Sequence, residues 1–286
     1  MHPASRLAPL LWLLLLGGSG LRAAPAALRL EWVKNILTIH GAPAGEKGVS
    51  ILYLEAFCRP NSTTNEWART VIPHTTELVS ATPDQTRIEL RSHLADGVEV
   101  EHVIRARGDE VDFRLIARNP TSHRSEAHWA QPCIRVGEFT GLYQPGNPQT
   151  YDYLRKSFLF LEGRLERMPT RDWATSARYV PGQVWAAPGV PRSDVNPRPL
   201  SPLTPSNGLI GCFSDDDRRI LATAWEPYQE LFQGVITCLH SDFRIGGLAP
   251  GEARRIHGKL YLVRNDVPAL LRRYAHDFPA QSHVGR

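Results

Sequence analysis

Cysteine is sparse in this chain: Cys58, Cys133, Cys212 and Cys238 are the four among 286 residues. Their spacings are long and irregular, with no C-x-x-C pair, so the sequence does not indicate a zinc knuckle. Most of them stand beside apolar residues, and both buried thiols and disulfides stay open as readings. Long apolar runs are also scarce. The uncharged run over residues 7–21 is short for a bilayer span, which needs about 20 residues. No later run is apolar enough to cross a membrane, and no cysteine follows the first one to carry a lipid. Helical periodicity is nearly missing, and there is no internal repeat or low-complexity block after the first segment. Charge of one sign is not concentrated anywhere. The formal net charge is +4 and the pI about 9.0, but arginines alternate with acids, as in Arg87-Ile-Glu-Leu-Arg and Arg105-Ala-Arg-Gly-Asp-Glu. That pattern reads as a solvated face, and no nucleic-acid partner is expected.

What is present begins with a leader. A short basic stretch up to Arg6 precedes the leucine-rich run, and Ala24-Pro-Ala26 offers a small-x-small cleavage site. This is the layout of a secretory signal peptide over residues 1–26, so the protein is expected to be secreted or periplasmic. Residues 27–286 are expected to form one domain, with ample length to bury a core.

The rest of the chain is rich in turn signals and period-two alternation. Strands are expected at 49–57, 87–91, 98–104, 111–117, 127–136, 158–161, 209–213, 220–225, 235–243 and 256–263. Asp96-Gly97 and Gly108-Asp109 separate alternating runs as hairpin turns do. Many short strands without intervening helices mean an all-β antiparallel sandwich or barrel. One helix is expected near the C-terminus, capped by Asp266, with Val267, Leu270, Leu271, Tyr274 and Phe278 on one face. The segment 180–206 holds Pro181, Pro188, Pro191, Pro197, Pro199, Pro202 and Pro205. So much proline predicts a long irregular loop, either a lid or a cover for a sheet edge.

Several motifs in order resemble the galactose mutarotase-like (aldose 1-epimerase-like) proteins. The turn Asn119-Pro-Thr is followed by His128-Trp129. Trp225-Glu-Pro-Tyr-Gln-Glu-Leu-Phe-Gln-Gly resembles a later strand of that family. Cys238-Leu-His, then Pro250-Gly-Glu and Leu260-Tyr-Leu-Val, resemble its ending. The likeness covers about the last two-thirds of the chain after the leader. It implies an antiparallel β-supersandwich with a short C-terminal helix and a carbohydrate-related pocket. The chain departs from the pattern at two places. His240 stands where the family's catalytic Glu is placed, and Trp129 and Ala130 replace its threonine and tyrosine. The chain also resembles secreted bacterial proteins, a likeness that carries no chemistry of its own.

Candidate site residues follow from strand geometry and from that likeness. Alternate residues of a strand share a face, about 6.5–7 Å apart, so Cys238, His240 and Asp242 line up together. His128, Ala130 and Pro132 are expected on one face of their strand, with Trp129, Gln131 and Cys133 on the other. Tyr53 and Glu55 are expected to share a face. Candidate acid–base residues are His128, His240, Glu226 and Asp242. Candidate sugar contacts are His74, Glu77, Trp129, Gln131, Trp185 and Arg244, with Trp67, Trp173 and Trp225 as further stacking platforms. His74 and Glu77 are expected to converge in an extended loop. The leading expectation is a carbohydrate ligand, bound or processed by epimerisation or elimination. A metal site built from His74, Glu77, His128, Glu226 and His240, taking zinc, manganese or iron, is a second reading. A non-catalytic exported interaction module is a third. The sequence names no cofactor.

Overall fold

The computed structural model describes residues 27–142, 152–171, 183–196, 199–234 and 237–281. The expected leader, Trp173, Pro181 and Pro197 lie outside them, as do Val235 and Ile236. In chain order the strands are β1 (Arg29–Val33), β2 (Ile36–Gly41), β3 (Gly45–Cys58), β4 (Val71–Ile72), β5 (His74–Ala81) and β6 (Arg87–Leu94). They continue as β7 (Glu99–Arg107), β8 (Glu110–Arg118), β9 (Trp129–Arg135), β10 (Ser157–Leu161), β11 (Arg164–Arg167) and β12 (Val184–Ala186). The last are β13 (Pro205–Phe213), β14 (Arg219–Glu226), β15 (Tyr228–Gln233), β16 (Cys238–Arg244) and β17 (Ala253–Arg264). The described strands form two antiparallel sheets. One has eight strands in the order β1-β2-β3-β9-β16-β15-β12, with β4 on β3. The other has nine, in the order β11-β10-β13-β14-β17-β8-β7-β6-β5.

The period-two pattern explains which face each sheet buries. In β6 the residues Ile88, Leu90 and Ser92 point inward, while Arg87, Glu89 and Arg91 alternate with them on the other face. In β8, Val111, Phe113, Leu115 and Ala117 do the same. These strands show polar groups to water on one side, as antiparallel sheets can. The two inner faces share one core. An aromatic chain crosses it, from Phe243 to Trp225, Phe113, Tyr53 and Trp32, with ring centroids 4.8, 5.2, 5.8 and 6.1 Å apart. The chain passes between the sheets at Phe243–Trp225 and at Phe113–Tyr53, so truncating a ring at either crossing costs contacts on both, about 3–5 kcal/mol for a large aromatic.

The outer face of the nine-stranded sheet is covered at one end by the C-terminal helix, Val267–Asp277. Leu270, Tyr274 and Phe278 pack there on Phe158, Phe213, Ile220 and Tyr261. Asp266 caps the helix by accepting a hydrogen bond from the Ala269 amide at 2.9 Å. Both the helix and its cap match the sequence expectation, as do the all-β class and every strand expected there within a few residues.

Two expectations are corrected, and one open alternative is decided. The proline-rich segment is not wholly irregular: Val184–Ala186 pairs with β15, and β13 starts at Pro205. The first stretch contains no proline, and Pro205 takes the first position of its strand, where proline leaves the ladder intact. Tyr53 and Glu55 do not share a face. The β3–β9 register shifts between Leu52 and Ala56, and Leu54 takes φ 59°. This bulge turns Tyr53 into the core and leaves Glu55 on the other side. All four cysteines are buried free thiols in the described structure.

Candidate functional site

The outer face of the eight-stranded sheet differs from an ordinary solvated face, because it is polar and buried. Strand alternation puts Trp129, Gln131 and Cys133 of β9 there, together with Cys238, His240, Asp242 and Arg244 of β16. The β9–β16 ladder runs from Cys238 opposite Arg135 to Arg244 opposite Trp129. On the other side Asp242 faces Glu230, and His240 faces Phe232. The imidazole of His240 stacks on the Phe232 ring, with centroids 4.3 Å apart and planes within 6°. Gln131 donates to Glu55 Oε2 at 3.1 Å, so the bulge in β3 delivers that carboxylate to the face. Two segments cover this face, tied to each other: Ser62 Oγ donates to the carbonyls of Asp194 and Val195.

Asp194, on the covering segment, is the hub of the accessible end. Its Oδ2 accepts from His128 Nδ1 at 3.1 Å and from Arg244 Nη1 at 3.0 Å. Its Oδ1 accepts from the Asn61 amide at 3.0 Å. Gln229 joins the group: its amide donates to the Asp194 carbonyl at 2.7 Å, and its oxygen accepts from Arg244. Burial alone would raise the Asp194 carboxyl, but the hydrogen bonds from His128 and Arg244 outweigh it and hold it below the ordinary range. The carboxylate is therefore ionised. It fixes the proton of His128 on Nδ1 and leaves Nε2 as the working nitrogen. Nε2 sits over Gly247, whose φ is +68°; a Cβ there would lie 2.6 Å from it. Only glycine fits beneath this ring. The His128 side chain is 22% exposed and Asp194 3%, so a buried carboxylate orients a partly accessible imidazole.

The other end is closed. His240 is 2% exposed and Asp242 is fully buried. His240 Nε2 lies 3.4 Å from Cys238 Sγ, and Nδ1 lies 3.6 Å from Asp242 Oδ1. Burial opposes a charged ring here, but Cys238 and Asp242 outweigh it and raise the His240 pKa to about 9. The face as a whole is acidic. Burial pushes the Cys58 thiol up, and Asp242, Glu230, Glu55 and Asp194 push it further.

The expected residues divide accordingly. Gln131, His240, Asp242 and Arg244 lie on this face, and His128 meets it through Asp194. His128 is not on the strand itself but just before β9, which is how its ring reaches the covering segment. Trp129 is on the face but fully buried, packed with Ala56, Cys58 and Trp67. Trp185 and Trp225 are core residues between the sheets and offer no stacking platform. His74 and Glu77 do not converge. They are three apart on an edge strand, so they point to opposite sides: Glu77 is exposed, and His74 Nε2 bonds the Leu54 carbonyl at 3.1 Å. His74 thus pins the bulge that presents Glu55. Glu226 ends β14 beside a separate cavity of about 220 Å³, lined also by Pro188, Asn207, Tyr228 and Gln281. The five-residue metal set expected from sequence is therefore scattered. Sequence reasoning missed Asp194, Gln229 and Glu230, and it placed Glu55 beside Tyr53 rather than on this face. Asp194 and Glu230 gave no periodic signal, since one ends a single 3-10 turn, Arg192–Asp194, and the other lies on a strand buried on both faces.

No family model matches the chain, and no curated protein matches it. Solved structures do resemble it. One is the Slr1438 protein from Synechocystis sp. PCC 6803, at 13% identity over 85% of this chain and 96% of that one, with a TM-score of 0.44. Another is a putative aldose 1-epimerase from Escherichia coli K12, at 12% identity, 82% and 98% coverage, and a TM-score of 0.39. A third is a galactose mutarotase-like protein from Lactobacillus casei ATCC 334, at 10% identity, 82% and 99% coverage, and a TM-score of 0.42. At these identities and TM-scores the likeness transfers no residue's role.

Proposed function

We propose that the chain is an exported protein that binds a neutral carbohydrate at the accessible end of this face and acts on it by acid–base chemistry through His128. The observation that carries this reading is the Asp194 clamp, which holds His128 Nδ1 at 3.1 Å and Arg244 Nη1 at 3.0 Å. A buried carboxylate that orients an accessible imidazole is the arrangement general acid–base catalysis requires. The neutral character of the ligand follows from charge. Glu55, Glu230 and Asp242 stand near the site, and Arg244 is already engaged by Asp194. Buried carboxylates behind the site repel an anionic sugar without touching it. His240 and Asp242 are too buried to touch a ligand, so the proton transfers fall to His128 Nε2. It would give a proton to a ring or glycosidic oxygen, or take one from a hydroxyl or a carbon acid, as epimerisation or elimination demands. Export is supported by the leader pattern over residues 1–26. The test is turnover of neutral mono- and oligosaccharides followed by NMR, with wild type and His128→Gln side by side. The variant is expected to lose about 10²–10⁴-fold in kcat. A variant that turns the same sugar over at the wild-type rate would sink the assignment.

A further inference from the structure

Cys133, Cys238 and His240 take no part in the Asp194 clamp, yet they converge. Cys238 and His240 are two apart on β16 and share its outer face. The β9–β16 register places Cys133 opposite His240. The sequence spacing of 105 residues between the two cysteines hides this, because the ladder brings them together. One ligand atom from each residue lies within 4.8 Å of the other two. Cys238 Sγ to His240 Nε2 is 3.4 Å. A tetrahedral zinc ion with sulfur at about 2.3 Å and nitrogen at about 2.0–2.1 Å has an S–N edge of about 3.6 Å and an S–S edge of about 3.8 Å. The three side chains therefore already stand close to the spacing that one ion requires.

Two further observations point to an ion. His240 Nδ1 is buried and makes no hydrogen bond among the described residues, yet Asp242 Oδ1 lies 3.6 Å from it. A carboxylate behind the non-ligating nitrogen is how a metal-bound imidazole is held in its tautomer. Above the cluster lies Gly234. A Cβ there would come 2.1 Å from Cys238 Sγ and 2.9 Å from His240 Nε2. A side chain at that position would fill the space over the sulfur and nitrogen.

We propose that Cys133 Sγ, Cys238 Sγ and His240 Nε2 bind one thiophilic metal ion, with zinc as the expected occupant and Asp242 as the positioning residue. Two thiolates and an imidazole select such an ion over manganese or magnesium. Binding releases two protons from the three side chains to solvent, leaving two thiolates and a neutral imidazole, and the two thiolates balance the charge of a divalent ion. The site is separate from the carbohydrate reading, and its test involves no sugar.

The full chain is purified reduced and without chelator, and its metal content is measured by mass spectrometry. It is then stripped and titrated with cobalt(II) alone. The expected results are about one zinc per chain and a thiolate-to-cobalt charge-transfer band that saturates at one equivalent. Two of the four thiols should react with a thiol reagent only after chelation. Cys133→Ser and Cys238→Ser should each abolish the band, and Cys212→Ala, in the sandwich core, should keep it. Copper(I) in place of zinc would uphold the ligand set. Folded wild-type protein with no metal, no charge-transfer band and a thiol count indifferent to chelator would overturn the proposal. So would a Cys133–Cys238 disulfide that reductant opens without any metal uptake. If the serine variants fail to fold, the wild-type stoichiometry and thiol count decide alone.

Discussion

Replacing Asp194 with asparagine tests the clamp at its centre. The carboxylate accepts three hydrogen bonds, from His128 Nδ1, Arg244 Nη1 and the Asn61 amide. An amide of the same shape offers one acceptor and one NH₂ group, so in either orientation at least one donor faces another donor. Hydrogen bonds to a charged group contribute about 1.5–3 kcal/mol each, and breaking a buried pair costs about 3–5 kcal/mol. Arg244 keeps the oxygen of Gln229 and some contact with water, which lowers the cost. Asp194→Asn should therefore lose about 2–4 kcal/mol at pH 7. The pH dependence has a definite sign. The folded carboxyl is held below its ordinary range, so its stabilisation is complete above the unfolded value of about 3.9. It fades as pH falls through the lower folded value. Urea unfolding of both proteins at pH 7 and near pH 3 measures this, and contributions common to both cancel. A difference below about 0.5 kcal/mol at pH 7, a change typical of an unconstrained surface site, would refute the reasoning. A difference that does not narrow in acid would refute it equally.

Two other residues give independent checks. His102 lies between Tyr53 Oη and Ser92 Oγ, each 3.0 Å from a ring nitrogen, and burial, then His74, lower its pKa to about 3. The unfolded chain takes up this proton below about pH 6.5 while the fold does not, so stability falls by up to about 1.4 kcal/mol per pH unit on acidification. His102→Gln should flatten that slope between pH 7 and pH 5, and coincident urea-midpoint profiles for variant and wild type would contradict it. Asp266→Ala should cost about 1 kcal/mol by removing the helix cap, read as a drop in unfolding free energy; no loss would mean that the helix is held by its packing on Phe158 and Tyr261 alone.

The sequence exposed the architecture more clearly than the chemistry, for a physical reason. Strands such as β6, β7 and β8 bury one face, and their alternation is visible in the residues themselves. The Asp266 cap and the helical spacing that follows are equally local. The alignment of Cys238, His240 and Asp242 was legible because it needs only period two within one strand. Contacts made across strands or from loops were not. Cys133 joins His240 through the β9–β16 register, and Asp194 reaches His128 from a segment 66 residues away. Trp185 and Trp225 read as stacking platforms because a tryptophan carries no mark of which face it occupies. His74 misled for a similar reason: its role is to hold the Leu54 carbonyl at a bulge, and the bulge itself breaks the alternation that the sequence argument assumed.

The central claim is that His128, held by Asp194, forms a carbohydrate site. The most direct measurement is a thermal-shift series of the folded wild-type protein and His128→Ala against neutral and acidic sugars. A ligand at 100 times its dissociation constant stabilises the fold by about 2.7 kcal/mol. The account predicts a rise in Tm with a neutral sugar, little or none with its acidic counterpart, and loss of the rise in the variant. An equal rise in both proteins would place the sugar elsewhere, and no rise with any sugar would contradict the carbohydrate reading.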